Sequence, residues 1–255
     1  WAQNDPTTAR EVLRMQSSGP EQRLLRKIEA GEKKGAVQKV TADIGLAFLF
    51  QRLSDDLAVQ EAQFLSQVMA QAHLILGRVY AAAENHDLAI SEYSRIDTES
   101  PYFLFGLSSQ ISSLLINRRF DQAIARVDSA LADNPESPEL HILKGQSLQA
   151  QGENKAAAAA FEAAIALANR LERPDALMAN YWLALGGAQE QAGLWPAGLQ
   201  SLQKANALLP DSPTILNYLG YAQLERRENK EAAVAVIKRA HELRSNSPAI
   251  TDSLG

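Results

Sequence analysis

Four histidines, His73, His86, His141 and His241, are the residues of this 255-residue chain best suited to bind a metal or carry a proton. No two of them stand at a metal-ligand spacing such as H-x3-H. The chain has no cysteine, which excludes disulfides, thiol catalysis and zinc–thiolate sites. Nucleophile-elbow, Walker and dinucleotide-loop motifs are absent. Gly186-Gly187 belongs to a repeated pattern and not to a phosphate loop. The acidic pair Asp55-Asp56 and Glu231 fall at helix starts, where the helix dipole favours negative charge. The reading is therefore a protein with no catalytic residue, no metal and no cofactor.

The charge pattern narrows the partners. Thirty acidic residues against 25 basic ones give a net charge of −5, with the signs interspersed. That argues against a nucleic-acid partner, which needs clustered Lys and Arg. Basic pairs at Lys33-Lys34, Arg118-Arg119 and Arg226-Arg227 lie at inter-helix turns and read as solvated. No apolar run is long enough to predict a transmembrane segment. The chain begins at Trp1, which predicts a removed upstream segment, and a soluble protein in the cytoplasm or exported to the periplasm fits equally.

The elements that position these residues recur every 34 residues. Leu76-Gly77, Tyr80, Ala89, Tyr93 and Pro101 set the template. Trp182, Leu185-Gly186, Leu202, Ala205 and Pro210 repeat it, as do Leu219-Gly220, Ala233, Ile237 and Ala240 with one residue inserted. Such a period with large, small and Pro positions predicts stacked helix–turn–helix units. The units run 70–103, 104–137, 138–178, 179–212 and 213–247, with a partial unit over 248–255. The second has Ile111 where Gly is usual, and about seven residues are inserted around 172–178. Pro135-Glu-Ser-Pro138 recurs as Pro210-Asp-Ser-Pro213, each predicting a helix end, a Ser N-cap and Pro at the first helical position. Ser100-Pro101 and Ser247-Pro248 are read as the same device.

Residues 1–69 are helical in pattern but carry blurred marks. Helices over 7–16, 20–30, 37–53 and 56–69 predict two degenerate hairpins that continue the stack. The partial unit at the end stops at its own Leu254-Gly255, so further chain or a neighbouring subunit is expected to complete it. Homo-oligomerisation through that incomplete repeat follows as an expectation.

Taken together, residues 70–247 resemble the tetratricopeptide repeat family, and in particular its bacterial multi-repeat proteins. The resemblance implies an all-α fold, an α–α superhelix or solenoid of antiparallel helix pairs, with first helices on the concave face. It implies a peptide or protein segment as partner, held in the concave groove. The chaperone-binding subset of the family grips a terminal carboxylate with Lys and Asn at the fifth and ninth positions. Here the fifth positions are Leu74, Ser108, Ile142, Leu183 and Asn217, and the ninth are Arg78, Ser112, Gln146, Gly187 and Tyr221. That clamp is missing.

Groove-facing positions of the first helices supply the candidate binding residues: Arg78, Phe105, Ser112, Gln146, Asn180, Glu190, Asn217 and Tyr221. Amides and hydroxyls among them can hydrogen-bond a peptide backbone, and Phe105 and Tyr221 add apolar area. A non-enzymatic interaction scaffold is the leading reading. A self-assembling structural protein and an accessory repeat domain of a larger enzyme are the alternatives.

Overall fold

A computed structural model describes residues 63–226 and 230–253. The expected helices 7–16, 20–30 and 37–53, with Lys33-Lys34, Asp55-Asp56 and Leu254-Gly255, lie outside the described residues. The chain divides into two compact units, Trp1–Val68 and Met69–Gly255, and the repeats belong to the second.

Eleven helices and no strand are found among the described residues. α1 covers 63–82 without a break at 69, where the sequence pattern predicts the end of one helix and the start of another. It pairs with α2 (His86–Ser94). The further pairs are α3 (Phe103–Ile116) with α4 (Phe120–Asp133), and α5 (Pro138–Gln151) with α6 (Asn154–Arg170). α7 (Asp175–Gln191) follows with α8 (Trp195–Leu208), then α9 (Pro213–Glu225) with α10 (Lys230–Leu243). A short α11 (Pro248–Asp252) packs on α10. The second helix of each pair also packs on the next element, and α3 touches α5 directly as α5 touches α7. The first helices of these pairs therefore lie side by side, and the architecture is an α–α superhelix. No described helix is long and apolar enough to cross a membrane.

The pairs close where a glycine on the first helix meets a large side chain on the second. A Cβ on Gly77 would stand 2.4 Å from the Tyr93 ring, and one on Gly145 would stand 2.4 Å from the Phe161 ring. Gly186 faces Leu202 at 2.8 Å and Gly220 faces Ile237 at 2.6 Å in the same sense. The second pair trades sizes: Ile111 replaces the glycine, and the smaller Val127 stands opposite in one buried cluster. Ala89, Ala123, Ala157 and Ala233 supply the small residue from the facing helix, all fully buried. A large side chain thus fills every one of these seams, from the second helix where the first has glycine and from the first helix at Ile111.

The turn inside each of the first four pairs passes through one left-handed residue: Glu84, Arg118, Gly152 and Gly193. Ser137 and Ser212 cap α5 and α9, accepting from Leu140 N at 3.3 Å and Ile215 N at 3.5 Å. Pro138 and Pro213 sit in the first turns, where a missing N–H costs nothing. The expectation for Ser100-Pro101 is corrected. α3 starts at Phe103, and Ser100 Oγ accepts from Tyr102 N in the preceding turn at 3.2 Å. Ser247 precedes Pro248 but makes no side-chain cap. The seven-residue insertion is shared. α6 and α7 each have 17 residues against 14 in α4 and α5, so α7 begins at Asp175, ahead of the expected start at 179.

Two substitutions test these constraints. Gly145→Ala should lower unfolding stability by about 2 kcal/mol through overpacking against Phe161, despite the gain in helix propensity. Adding Phe161→Leu should recover part of that loss, read as non-additivity in urea titrations. Gly152→Ala should cost about 1 kcal/mol through its left-handed backbone alone, because a Cβ there meets nothing within 4 Å.

Candidate functional site

The first-helix face is built by α3, α5 and α7. α3 has no charged residue in its 14 positions; its buried side is Phe103, Leu107, Gln110, Ile111 and Leu114. Its outer side carries Leu104, 40% exposed, and Phe105, 69% exposed. Beside them lies a cavity of about 350 Å³. Its walls are Leu104, Phe105 and Ser108 of α3, Glu139, Ile142, Leu143 and Gln146 of α5, and Tyr181 of α7. Burial, with Glu139 second, raises the Tyr181 hydroxyl above its ordinary value. Glu139 is held at 2.7 Å by Arg173, in the turn that follows α6 of the same unit. A second cavity of about 460 Å³ lies between the turns around Pro135 and Leu171.

Of the eight candidate residues, Phe105 and Gln146 share the first cavity and the others lie elsewhere along the array. Arg78 is exposed on α1. Ser112 bends back to its own helix, donating to Ser108 O at 3.0 Å, and Asn180 does the same to Ala176 O at 3.0 Å. Glu190 is engaged within the protein: Arg226 reaches it at 2.9 Å, and the Tyr218 hydroxyl hydrogen-bonds it. Asn217 is half-buried with its Oδ1 lacking a partner. Tyr221 is 47% exposed, and its hydroxyl is raised above its ordinary value chiefly by a hydrogen bond with Glu225.

Arg226 also lies over the Trp195 ring at 5.1 Å, and Lys204 over Trp182 at 4.2 Å, so two cations are committed to aromatic faces. Arg119 pairs with Asp87 at 2.8 Å. Arg119 and Arg226 are exposed, as their turn positions predict, and each also ties neighbouring units. His73 Nδ1 meets Glu92 Oε2 at 2.7 Å within the first pair, and His141 Nε2 meets Pro135 O at 2.9 Å.

Sequence reasoning missed Leu104, Ser108, Glu139, Ile142, Leu143 and Tyr181 as a group. Ser108 and Ile142 occupy fifth positions and Glu139 a second position, so the rule that selected Phe105 reaches them when applied to every unit. Tyr181 carries no such signal.

Burial, then Glu190 and Glu225, push the Tyr218 hydroxyl up to about 12. The folded state holds this proton more tightly than the unfolded chain, whose tyrosine titrates near 10. Tyr218 therefore stabilises fully below about pH 10, and the contribution drains away between about 10 and about 12. Tyr218→Phe should flatten part of the alkaline fall in the urea midpoint between about pH 10 and about 12, which parallel titrations of the two proteins measure.

Comparison with known proteins places this geometry. A family model described as tetratricopeptide repeat matches residues 57–102, 110–169, 142–213 and 188–248. A TPR repeat-containing protein of Pseudomonas aeruginosa is 26% identical over 185 residues, which is 72% of this chain and 30% of that protein. The chain thus spans less than a third of the length of that relative. A thermophilic TPR protein of Thermus thermophilus superposes with a TM-score of 0.59 at 19% identity, covering 72% of this chain and 96% of that one. The MamA protein from Desulfovibrio magneticus RS-1, residues 41 to its end, gives a TM-score of 0.53 at 19% identity over 71% of this chain and 97% of that one. Likeness at that identity concerns the fold.

Proposed function

Because this chain belongs to the tetratricopeptide repeat family, we propose that it is a non-enzymatic scaffold that holds a peptide or protein segment in the groove along its first helices. The observation that carries the reading is the cavity between α3, α5 and α7 with Phe105 standing open beside it. Folding places a large aromatic ring in water at the mouth of an apolar hollow, where burial by a partner yields free energy that folding alone does not. The neutral hydrogen-bonding groups on the same face suit a peptide backbone. Arg78, Ser112, Asn180, Asn217 and Tyr221 extend the proposed contact surface to either side.

A second reading, self-association, draws on the exposed Ile75, Leu76 and Val79 of α1. Sedimentation separates the two, since only self-association makes the mass rise with concentration.

The scaffold reading is tested by affinity capture with the double variant Phe105→Ala, Gln146→Ala. Both side chains are exposed, so circular dichroism should show an unchanged melting profile. Captured partners should fall several-fold in yield. An unchanged partner set on a folded variant sinks the groove assignment.

A further inference from the structure

Resting on the groove reading above, we infer that the α3–α5–α7 cavity selects an extended, uncharged segment that inserts one bulky apolar side chain, and that it rejects acidic segments. The volume of about 350 Å³ lies at the low end for ligand sites, which suits a side chain and not a whole cofactor. All its walls are helix faces, with no turn among the lining residues, so the hollow opens along the row of first helices. A continuous chain can enter and leave such a hollow.

Charge decides the class of side chain. Glu139 is the only ionisable carboxylate or cation among the eight lining residues. An acidic side chain would be desolvated beside that carboxylate with no lining cation to receive it. A basic side chain would have to displace Arg173, already 2.7 Å from Glu139. A neutral apolar group meets neither cost. It would contact Leu104, Ile142 and Leu143 and cover Phe105, the kind of aromatic that dominates binding energy at interfaces.

The polar lining fixes the rest. Among the described residues, no hydrogen bond within the protein engages the Ser108 hydroxyl, the Gln146 amide or the Tyr181 hydroxyl. Each can both donate and accept. A peptide unit presents one N–H and one C=O, so an extended backbone crossing the cavity mouth finds partners for both.

Fluorescence polarisation with end-capped, labelled peptides tests the inference. The probe Gly-Ser-Gly-Leu-Phe-Leu-Gly-Ser-Gly should bind, and its Asp-Phe-Asp counterpart should bind at least about tenfold more weakly. Phe105→Ala and Ile142→Asn should each weaken the first probe by about tenfold, the equivalent of about 1.4 kcal/mol. Ile116→Ala, an exposed apolar change at the far end of α3, should leave binding unchanged. Equal binding of the two probes, or no binding of the first at millimolar concentration, overturns the inference. If Phe105→Ala is silent while Asn217→Ala with Tyr221→Ala weakens the probe, the cavity assignment falls and the groove reading stands. If neither variant changes the affinity of a probe that binds, both fall.

Discussion

The spacing between the two helices of each pair is set where a backbone without a side chain meets a ring or a branched tip. At Gly77 and Gly145 there is no room for even a methyl group before an aromatic ring is struck. That contact fixes how deeply each second helix sits in its partner, and so fixes the width of every layer in the stack. At Ile111 the bulky side chain comes from the first helix instead, so either side of the seam can fill it. With the layers equal in width, first helices can touch first helices, and a continuous face exists for other groups to decorate.

Polar ties then lock neighbouring layers against one another. Arg119 to Asp87 and Arg226 to Glu190 each join successive units, and Arg173 to Glu139 ties the two ends of the third. Exposed pairs of this kind contribute little stability each, of the order of 0.5 kcal/mol. Their larger effect is to consume charge. Arg226 and Glu190 are further wrapped by Trp195 and Tyr218, so the face near α7 and α9 presents few free ions. α3 reaches the same end by having no charged residue at all. The chain carries 55 charged side chains out of 255 residues, yet a neutral strip runs through it.

Much of the fold was legible because the repeat writes the same packing rule several times. Gly186 opposite Leu202 and Ser137 before Pro138 are each readable from spacing, and repetition turns weak signals into a register. Failures came where one copy departs from the rule. Ser100-Pro101 has the letters of a cap, but the helix begins later because Ser100 holds its own turn. The site was less legible. Position along a helix told which residues face inward, as with Phe105 and Gln146, but could not tell which inward groups are spent on neighbours. Glu190 looked available and is bonded to Arg226. Tyr181 was invisible because its place in the cavity depends on where α7 lies against α5, a distance that spacing does not encode.

The insertion between the third and fourth units carries a last consequence. Against the 34-residue template, three residues are added to the end of α6 and four to the start of α7, close to one helical turn each. Whole turns added to abutting ends of antiparallel neighbours leave every other residue on its original face. Ala168 and Met178 seal the enlarged end as core. A repeat architecture that grows by adding units along the stack can thus also grow along its helices, one turn at a time.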